Sequence, residues 1–230
     1  MGPIIVGVNT IQELKKSYRT PETPGSFFFS LEGIEGSGKT TQIKALEDYV
    51  TSKGLRCLTL REPGGTTFGE KLREAILGSE APLHPLAECH LFLASRAQLL
   101  NEKILPFLLQ PGSVVILDRY IDSTLAYQGK ARRLGYSTIL ELHRHDPLNL
   151  LPHRTYFLDI DLETSMQRQL TRGNKKDYFE SQKQEFYQNL LDGYREVAEL
   201  FPERILKIDG SGTVASITEK IHHDLKRLLS

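Results

Sequence analysis

The chain has 230 residues, which suits one α/β domain of the larger kind with room for a hydrophobic core. Its 29 basic and 29 acidic side chains balance, so it lacks the basic excess usual in proteins that bind nucleic acid or membrane surfaces. No apolar run approaches the ~20 residues of a membrane span, and the apolar start at residues 4–8 is too short for a signal peptide and lacks a basic flank. We therefore expect a cytoplasmic protein with neither a nucleic-acid nor a membrane partner.

The first 26 residues differ in pattern from the rest of the chain. Residues 11–18 can form two helical turns, and residues 20–26 (TPETPGS) have the Pro and Gly content of a linker. We interpret residues 1–26 as an N-terminal extension, flexible or loosely docked, to which we assign no chemistry. Residues 27–230 then form the functional domain.

After this extension, strand-like and helix-like segments alternate. Strands are predicted over residues 27–32, 55–60, 114–117, 155–160 and 204–208. Helices are predicted over residues 39–52, 67–77, 85–109, 137–145, 162–171, 181–200 and 214–229. The run at 114–117 is apolar throughout, as is typical of a central parallel strand. Five strands separated by helices predict an α/β fold, a parallel sheet with helices on both faces.

Residues 33–40 (GIEGSGKT) fit the phosphate-binding pattern G-x-x-x-x-G-K-[ST] between a predicted strand and a predicted helix. Glycines let successive backbone N–H groups point at phosphate oxygens, and the N-terminus of the next helix adds positive potential. Lys39 is expected to reach the β- and γ-phosphates, and the Thr40 hydroxyl to bind Mg²⁺. The predicted cofactors are therefore ATP and Mg²⁺. The residues expected to contact ATP are Gly33, Ile34, Glu35, Gly36, Ser37, Gly38, Lys39, Thr40 and Thr41.

Charged residues follow the predicted strands near the same edge of the sheet. Asp118 ends the apolar run 114–117, where a carboxylate can hold Mg²⁺; capping of the next helix is the alternative. Arg61, Arg96 and Arg119 lie at or near that edge, and guanidinium groups suit phosphates. Three arginines beside a phosphate loop suggest a second anionic ligand. An acceptor that is itself a phosphate is already a nucleophile and needs no general base. It does need cations that offset its repulsion from ATP, so the three arginines favour phosphate-to-phosphate transfer.

Three further blocks resemble those of the thymidylate kinase family. They are REPGGT at 61–66, LFLASR at 91–96, and DRY…ST…AYQ at 118–128, in the family's order and spacing. With the phosphate loop, the resemblance covers roughly residues 27–229. It implies the fold of P-loop nucleoside monophosphate kinases and Mg²⁺-dependent transfer of the γ-phosphate of ATP to dTMP, in dTTP biosynthesis. It also implies a homodimer packed through helix 85–109, a helix that is apolar nearly all round; core burial alone is the alternative.

The resemblance implies roles for the matching residues. Phe92 would stack on the thymine ring, although core packing is also open for a lone Phe; its i, i+4 spacing puts it on one helix face with Arg96. Arg96 and Arg119 would grip the dTMP phosphate and the adjoining base edge. Arg61 would be a phosphate contact or a strand-end ion pair. Tyr127 would pack near the deoxyribose.

Four further positions complete the predicted site. Thr124 and Gln128 would border or bond the base, and Ser123 of the same block is counted among the substrate-binding residues. Glu35, inside the phosphate loop, would lie near the sugar 3′-hydroxyl or the metal, because a carboxylate in a phosphate cradle is unfavourable unless it has a partner. A solvent-facing loop position is the alternative for Glu35.

A basic segment at residues 128–135 (QGKARRLG) has glycines at both sides, as a hinged lid needs. The phosphate loop has no Arg or Lys among its variable positions, and family members of that kind bring a catalytic arginine from the lid. Arg132 matches that position, with the adjacent Arg133 as the alternative; either would neutralise charge on the transferring γ-phosphate. A solvated basic loop is also open.

The chain departs from the family pattern in three places. The lid has Lys130 and Ala131 where glycine is usual, and the block at 177–180 reads DYFE in place of Asp-Arg-x-Glu. The block at 177–180 therefore lacks the family's basic residue, and Lys175 and Lys176 are candidates to supply that positive charge. The helix after Glu180 has Asn189 and Leu191 where the family often has arginines. Two other functions stay open at this point: phosphorylation of dUMP or another nucleotide, and a nucleotide-dependent switch. A switch should carry a base-specificity motif and a water-positioning Gln, and no such pair is found.

Overall fold

The computed structural model describes residues 8–170 and 184–229. Its strands are β1 Phe27–Glu32, β2 Arg56–Arg61, β3 Ser113–Asp118, β4 Arg154–Asp159 and β5 Ile205–Asp209. All neighbours pair in parallel in the order β2-β3-β1-β4-β5. The predicted α/β class and five-stranded parallel sheet are therefore confirmed, and each strand end lies within one residue of its predicted position.

Helices connect the strands. They are α1 Val8–Lys15, α2 Lys39–Ser52, α3 Thr67–Leu77, α4 Pro85–Leu99, α5 Leu105–Leu108, α6 Ile121–Thr124, α7 Tyr136–His143, α8 Leu162–Leu170, α9 Gln184–Leu200 and α10 Val214–Leu228. Each of these is, within the described residues, too short or too polar to cross a membrane.

The long helix predicted over 85–109 is present but not uniform. A π-helical segment, Leu100–Ile104, joins α4 to α5. Pro106 lies in α5 and has no N–H for the carbonyl of Glu102, four residues earlier. A proline inside a helix also clashes with that carbonyl, and a wider turn just before it relieves both problems.

The hydrophobic core lies on both faces of the sheet, because successive residues of a buried strand point to opposite sides. In β1, Phe28 belongs to one hydrophobic cluster and Phe29 to the other. Helices α2 and α10 cover the second cluster with residues such as Leu46 and Ile221. Helices α4, α7 and α9 cover the first. This double layer holds the carboxyl ends of the strands at one edge, where the predicted site residues meet.

The described part of the N-terminal extension is docked on the domain. Tyr18 donates through its hydroxyl to the carbonyl of Leu140 in α7 at 2.8 Å. The backbone of Arg19 bonds Asn149 at 3.0 Å and Leu151 at 2.7 Å. Tyr18 and Arg19 thus tie the described part of this segment to α7 and to the residues that precede β4.

Candidate active site

The loop between β1 and α2 is shaped by its glycines. Gly33, Gly36 and Gly38 have φ of 139°, 75° and 97°, values that glycine adopts far more readily than other residues. A Cβ added at Gly33 would lie 2.7 Å from the carbonyl oxygen of Leu158. Both the backbone conformation and the neighbouring strand thus require glycine at the loop's first position, and the loop then leads into the N-terminus of α2, a favourable place for phosphate.

Lys39 occupies the first turn of α2 and is buried against the loop. Its ammonium donates to the carbonyl oxygens of Gly33 at 3.0 Å and Ile34 at 3.2 Å. Burial and the charge of Arg119 lower the pKa of Lys39 to about 8, against the opposing effect of Asp118 and other carboxylates. The side chain is thus held inside the loop that would enclose the phosphates.

A solvent-open cavity of about 540 Å³ lies at this loop. Its lining comprises Glu35, Gly36, Gly38, Lys39, Thr40, Arg61, Glu62, Arg73, Asp118 and Arg119. Four of the residues predicted to contact ATP do not line this cavity. Gly33, Ile34 and Ser37 are buried within the loop, and Thr41 is exposed on α2. The loop residues thus present their most open positions to one polar cavity.

Two residues in this lining fit a magnesium ion. Thr40 and Asp118 both line this cavity, and their hydroxyl and carboxylate groups are hard oxygen donors of the kind Mg²⁺ prefers. Asp118 Oδ1 is buried without a hydrogen-bond partner among the residues described. A buried carboxylate oxygen with no partner is costly, so a cation at this position would satisfy it.

A second cavity of about 750 Å³ adjoins the first. Seven of the eight predicted substrate residues line it: Phe92, Arg96, Arg119, Ser123, Thr124, Tyr127 and Gln128. The eighth, Arg61, lines the phosphate-loop cavity and pairs with Glu70 at 3.0 Å. The two cavities share Glu35, Glu62, Arg73 and Arg119. The sequence blocks, distant along the chain, thus meet around two joined spaces.

Arg119 lies at the boundary between these cavities. Its backbone has φ of 71°, a left-handed conformation uncommon for a residue with a side chain. Its Nη1 donates to Gly33 O at 3.0 Å, to the Tyr194 hydroxyl at 2.8 Å and to Ser123 Oγ at 3.3 Å. These bonds hold one guanidinium beside both the phosphate loop and the second cavity.

Arg96 is in a different electrostatic situation, because its charge is balanced. The side chain is 1% exposed, and its Nε and Nη2 lie 2.7 and 2.5 Å from Glu62 Oε2. Nη2 also donates to Thr124 Oγ1 at 3.1 Å, and Nη1 lies 2.6 Å from His143 Nε2. Burial, opposed by Arg96, raises the pKa of Glu62. Arg96 therefore lines the second cavity with an oriented guanidinium group that brings little net charge.

Several residues of the site were not found from the sequence. Arg73 of α3 lines both cavities and donates to Pro63 O at 3.0 Å. Its position depends on the packing of α3 against the REPGGT block, where Gly69 approaches Gly64, and the sequence carries no signal for that packing.

A buried carboxylate was also missed. Glu32 ends β1 directly before the phosphate loop and accepts from Tyr120 N at 2.7 Å and Ser123 Oγ at 2.6 Å. Burial and the neighbouring charge of Asp122 raise its pKa. The argument that identified Asp118, a carboxylate at the end of an apolar strand, applies equally to Glu32 and was not applied.

The segment predicted as a lid begins within a packed helical turn. Leu125–Ala131 is π-helical and lies against α9. A Cβ on Gly129 would come within 3.2 Å of the Tyr136 ring, so this glycine allows close packing in this structure. The hinged lid over residues 128–135 stays a prediction.

The two candidate lid arginines have partners away from the phosphate loop. Arg132 Nη2 lies 3.2 Å from Glu88 Oε2, and its guanidinium lies 4.7 Å from the centre of the Phe186 ring. Arg133 pairs on the surface with Glu185 at 3.3 Å. Among the described residues, both arginines are missing from the linings of the two cavities. The block at 177–180, with Lys175 and Lys176, lies outside the described residues.

A P-loop at the carboxyl edge of a parallel sheet, joined to a second cavity with arginines and an aromatic side chain, defines a P-loop nucleoside monophosphate kinase. The family model described as thymidylate kinase matches residues 31–221. The chain belongs to the thymidylate kinase family, whose members are phosphotransferases that phosphorylate dTMP to dTDP with ATP.

Individual relatives agree with this assignment. The chain is 42% identical over 194 residues to thymidylate kinase from Caldanaerobacter subterraneus subsp. tengcongensis, covering 84% of this chain and 92% of the relative. It is 37% identical over 204 residues to that of Bacillus licheniformis, covering 88% and 96%. The crystal structure of thymidylate kinase from Ehrlichia chaffeensis matches with a TM-score of 0.68 at 30% identity, over 88% of this chain and 99% of that one.

Proposed function

We propose that this chain transfers the γ-phosphate of ATP to dTMP, giving ADP and dTDP for dTTP synthesis. The observation that carries the proposal is the pair of joined cavities, one at the phosphate loop and one lined by seven predicted substrate residues. Two nucleotides that repel each other would be brought into line there. Catalysis of this kind rests mainly on positioning and on neutralisation of charge.

We assign the monophosphate to Arg119 and Arg73. Both line both cavities, so a phosphate at the boundary would be within their reach. Lys39, at the loop, would bind the β- and γ-phosphates of ATP. Cations at the boundary offset the repulsion between donor and acceptor, which is the main obstacle to transfer between two phosphates.

Arg96 is better suited to the base than to the phosphate. Its charge is balanced by buried Glu62, so its remaining donor capacity fits a neutral acceptor at the base edge. Phe92 would stack on the base from the same cavity and Tyr127 would lie near the deoxyribose. Glu35, which lines both cavities, would face the sugar or the metal.

Thr40 and Asp118 would hold Mg²⁺ in the phosphate-loop cavity. Mg²⁺ held there would supply positive charge that offsets the negative charge of the ATP phosphates. Asp118 immediately precedes Arg119, so metal and acceptor phosphate would be held by adjacent residues at the end of β3.

A coupled assay of ADP release tests the proposed reaction. It would compare dTMP, dUMP, dCMP, dGMP and dAMP as acceptors with a reaction that has no acceptor. We expect the highest kcat/KM with dTMP. Equal turnover without an acceptor would indicate a hydrolase or a switch, and a higher kcat/KM with another monophosphate would replace dTMP as the substrate.

We also propose that the enzyme is a homodimer that packs through α4. The side chains of Leu86, His90 and Ala94 are exposed at i, i+4 spacing along one stripe of this helix, and Ala87 is exposed beside them. Phe68 of α3, which packs on α4, is 47% exposed. Sedimentation should give the mass of a dimer, and Ala94→Arg should give a monomer, while the exposed Lys103→Ala control stays dimeric. A monomeric wild type would end this proposal.

We place the reaction in the cytoplasm. Cys57 and Cys89 are both free thiols, which suits a reducing compartment. Fractionation of the native host, with activity in the cytosolic fraction, would test this location; activity in another fraction would overturn it.

A further inference from the structure

His143, which no part of the sequence analysis singled out, is in direct contact with Arg96. It lies at the end of α7 with a relative exposure of 0%. One ring nitrogen, Nδ1, lies 2.7 Å from the carbonyl oxygen of Ile139, and the other, Nε2, lies 2.6 Å from Arg96 Nη1. Both ring nitrogens are therefore engaged, one toward its own helix and one toward the second cavity's arginine.

These two contacts determine the state of the imidazole ring. A carbonyl only accepts, so Nδ1 carries the hydrogen; an arginine only donates, so Nε2 offers its lone pair to Arg96. A protonated ring would bring two cations together in a buried place. Burial and the charge of Arg96 accordingly lower the pKa of His143 to about 3. The ring is a neutral acceptor at neutral pH.

The ion pair with Glu62 does not by itself fix the orientation of Arg96. Both arginine contacts go to a single carboxylate oxygen, Oε2, and Oε1 is buried without a hydrogen-bond partner in the described part of the chain. The pair thus lacks the two parallel bonds that hold a guanidinium plane against a carboxylate. Further anchors are needed at the far end of the group, and Thr124 and His143 supply them.

A count of donors shows what His143 controls. Arg96 has five N–H groups. Nε and one N–H of Nη2 bond Glu62, the other N–H of Nη2 bonds Thr124, and one N–H of Nη1 bonds His143. Within the described residues, the fifth N–H has no partner, and it is on Nη1, the atom that His143 holds. Arg96 lines the second cavity, so this is the donor left for a substrate.

We propose that His143 is a positioning residue for the nucleotide acceptor: by accepting one N–H of Arg96 Nη1, it aims the other at the substrate. The inference rests on the proposed role of Arg96 in binding dTMP. It predicts that loss of the Nε2 acceptor weakens dTMP binding selectively and leaves ATP binding intact, because the cavity at the phosphate loop is lined by other residues.

The first test replaces the ring nitrogen in the full-length enzyme. His143→Phe keeps a ring but has no acceptor, and we expect the KM for dTMP to rise about tenfold, with the KM for ATP unchanged within about twofold. His143→Gln can place an amide oxygen near the position of Nε2 and should recover most of the loss. Equal kinetics of His143→Phe and wild type would overturn the proposal, as would equal increases in both KM values.

A control separates positioning from lost stability. Leu140→Ala opens a gap in the same helix, and Leu140 is fully buried. Its melting temperature should fall at least as far as that of His143→Phe, while its KM for dTMP stays near that of wild type. If Leu140→Ala raised the KM for dTMP as much as His143→Phe, the effect would be structural and the inference would fail.

Arg96→Ala distinguishes failure of the inference from failure of the proposed site. If Arg96→Ala leaves the KM for dTMP unchanged, the role of Arg96 is wrong and the inference falls with it. If Arg96→Ala raises that KM but His143→Phe does not, only the positioning role is wrong. In the double variant, the His143 change should add nothing to the Arg96 change.

A spectroscopic measurement tests the protonation of His143 in the unmutated enzyme. With ¹⁵N-labelled histidine, His143 should show a protonated Nδ1 and an unprotonated Nε2 from pH 6 to 8, with and without dTMP. Assignment uses the loss of its signals in His143→Gln. A protonated Nε2 could not accept from Arg96 and would overturn the proposal even if the kinetics agreed.

Discussion

Arg119 donates through Nη1 to the carbonyl oxygen of Gly33 at 3.0 Å, so the residue that follows β3 is tied to the first residue of the phosphate loop. The backbone N–H of Arg119 also bonds Leu31 at 3.1 Å. Neighbouring parallel strands β1 and β3 thus hold the phosphate loop and Arg119 at fixed positions relative to each other. In the proposed complex, strand pairing would set the relative position of the two substrates.

Replacing Arg119 should therefore reduce transfer more than it reduces folding. We expect Arg119→Ala to lower kcat/KM for dTMP at least about tenfold, since a hydrogen bond to a charged group contributes ~1.5–3 kcal/mol. Arg144→Ala, which removes a surface arginine paired with Glu141 at 2.6 Å, is the matched control and should keep normal kinetics. Kinetics equal to wild type for Arg119→Ala would remove Arg119 from the site.

The lowered pKa of Lys39 predicts a pH dependence. The charged ammonium binds phosphate, and in the free enzyme that charge is lost as pH rises through about 8. We expect kcat/KM for ATP to fall above that pH, whereas kcat should fall only at higher pH, because bound phosphates raise the pKa again. A kcat/KM for ATP that stays flat up to pH 10 would contradict this assignment.

The lowered pKa of Lys39 also makes the free energy of unfolding depend on pH, and the direction of that dependence follows from the shift. Between about pH 8 and 10.5 the unfolded chain keeps a proton on Lys39 that the folded protein has lost. Unfolding then takes up a proton, so the free energy of unfolding contributed by this residue increases with pH in that window. The increase should be absent from Lys39→Met in urea titrations at pH 7.5 and 9.5.

The sequence predicts the residues that line the cavities where they directly follow a strand. It does not predict those that the packing of helices brings there. Asp118 and Arg119 were found because the carboxyl ends of parallel strands share an edge. Arg73 was missed because its position depends on how α3 lies against the REPGGT block, which a helical pattern does not give. The close approach of Gly129 to the Tyr136 ring was equally beyond the sequence, which does not show whether a glycine permits motion or close approach.

The docking of the N-terminal segment was also beyond the sequence. It depends on contacts such as that between Tyr18 and Leu140, which are 122 positions apart. A linker-like composition at residues 20–26 does not show whether the preceding helix packs against the domain. His143 was likewise beyond the sequence, because the predicted helix 137–145 carries two histidines, His143 and His145, and nothing in the pattern shows which of them is buried against Arg96.

Tyr18→Phe tests the docking of the N-terminal segment. Burial raises the pKa of Tyr18 well above its usual value, so its hydroxyl stays a donor to Leu140 O. Removing that hydroxyl should lower the free energy of unfolding by about 1 kcal/mol, measured by urea denaturation. Tyr49→Phe, on the partly exposed face of α2, is the control and should change little. Equal stability of Tyr18→Phe and wild type would mean that this contact does not hold the segment.

Gly193 of α9 is the position where two helical segments come closest. A Cβ there would lie 2.9 Å from the Lys130 Cβ and 3.1 Å from both the Cα and the carbonyl oxygen of Ala126. Two of these three atoms are backbone, which cannot rotate away. Gly193→Ala should therefore push α9 away from Leu125–Ala131, and overpacking of this kind costs ~1–3 kcal/mol.

Helix propensity and close packing predict opposite changes in stability for Gly193→Ala, so the sign of the measured change decides between them. Alanine favours a helix over glycine by ~0.8–1 kcal/mol, so without the close contact Gly193→Ala would stabilise the protein. We expect a lower melting temperature and a lower kcat/KM for dTMP, because adjacent Tyr194 accepts a hydrogen bond from Arg119 at 2.8 Å. Glu199→Ala, on the exposed face of α9, should change neither. A more stable Gly193→Ala would show that α9 can shift without strain, and the link from α9 to Arg119 would then be wrong.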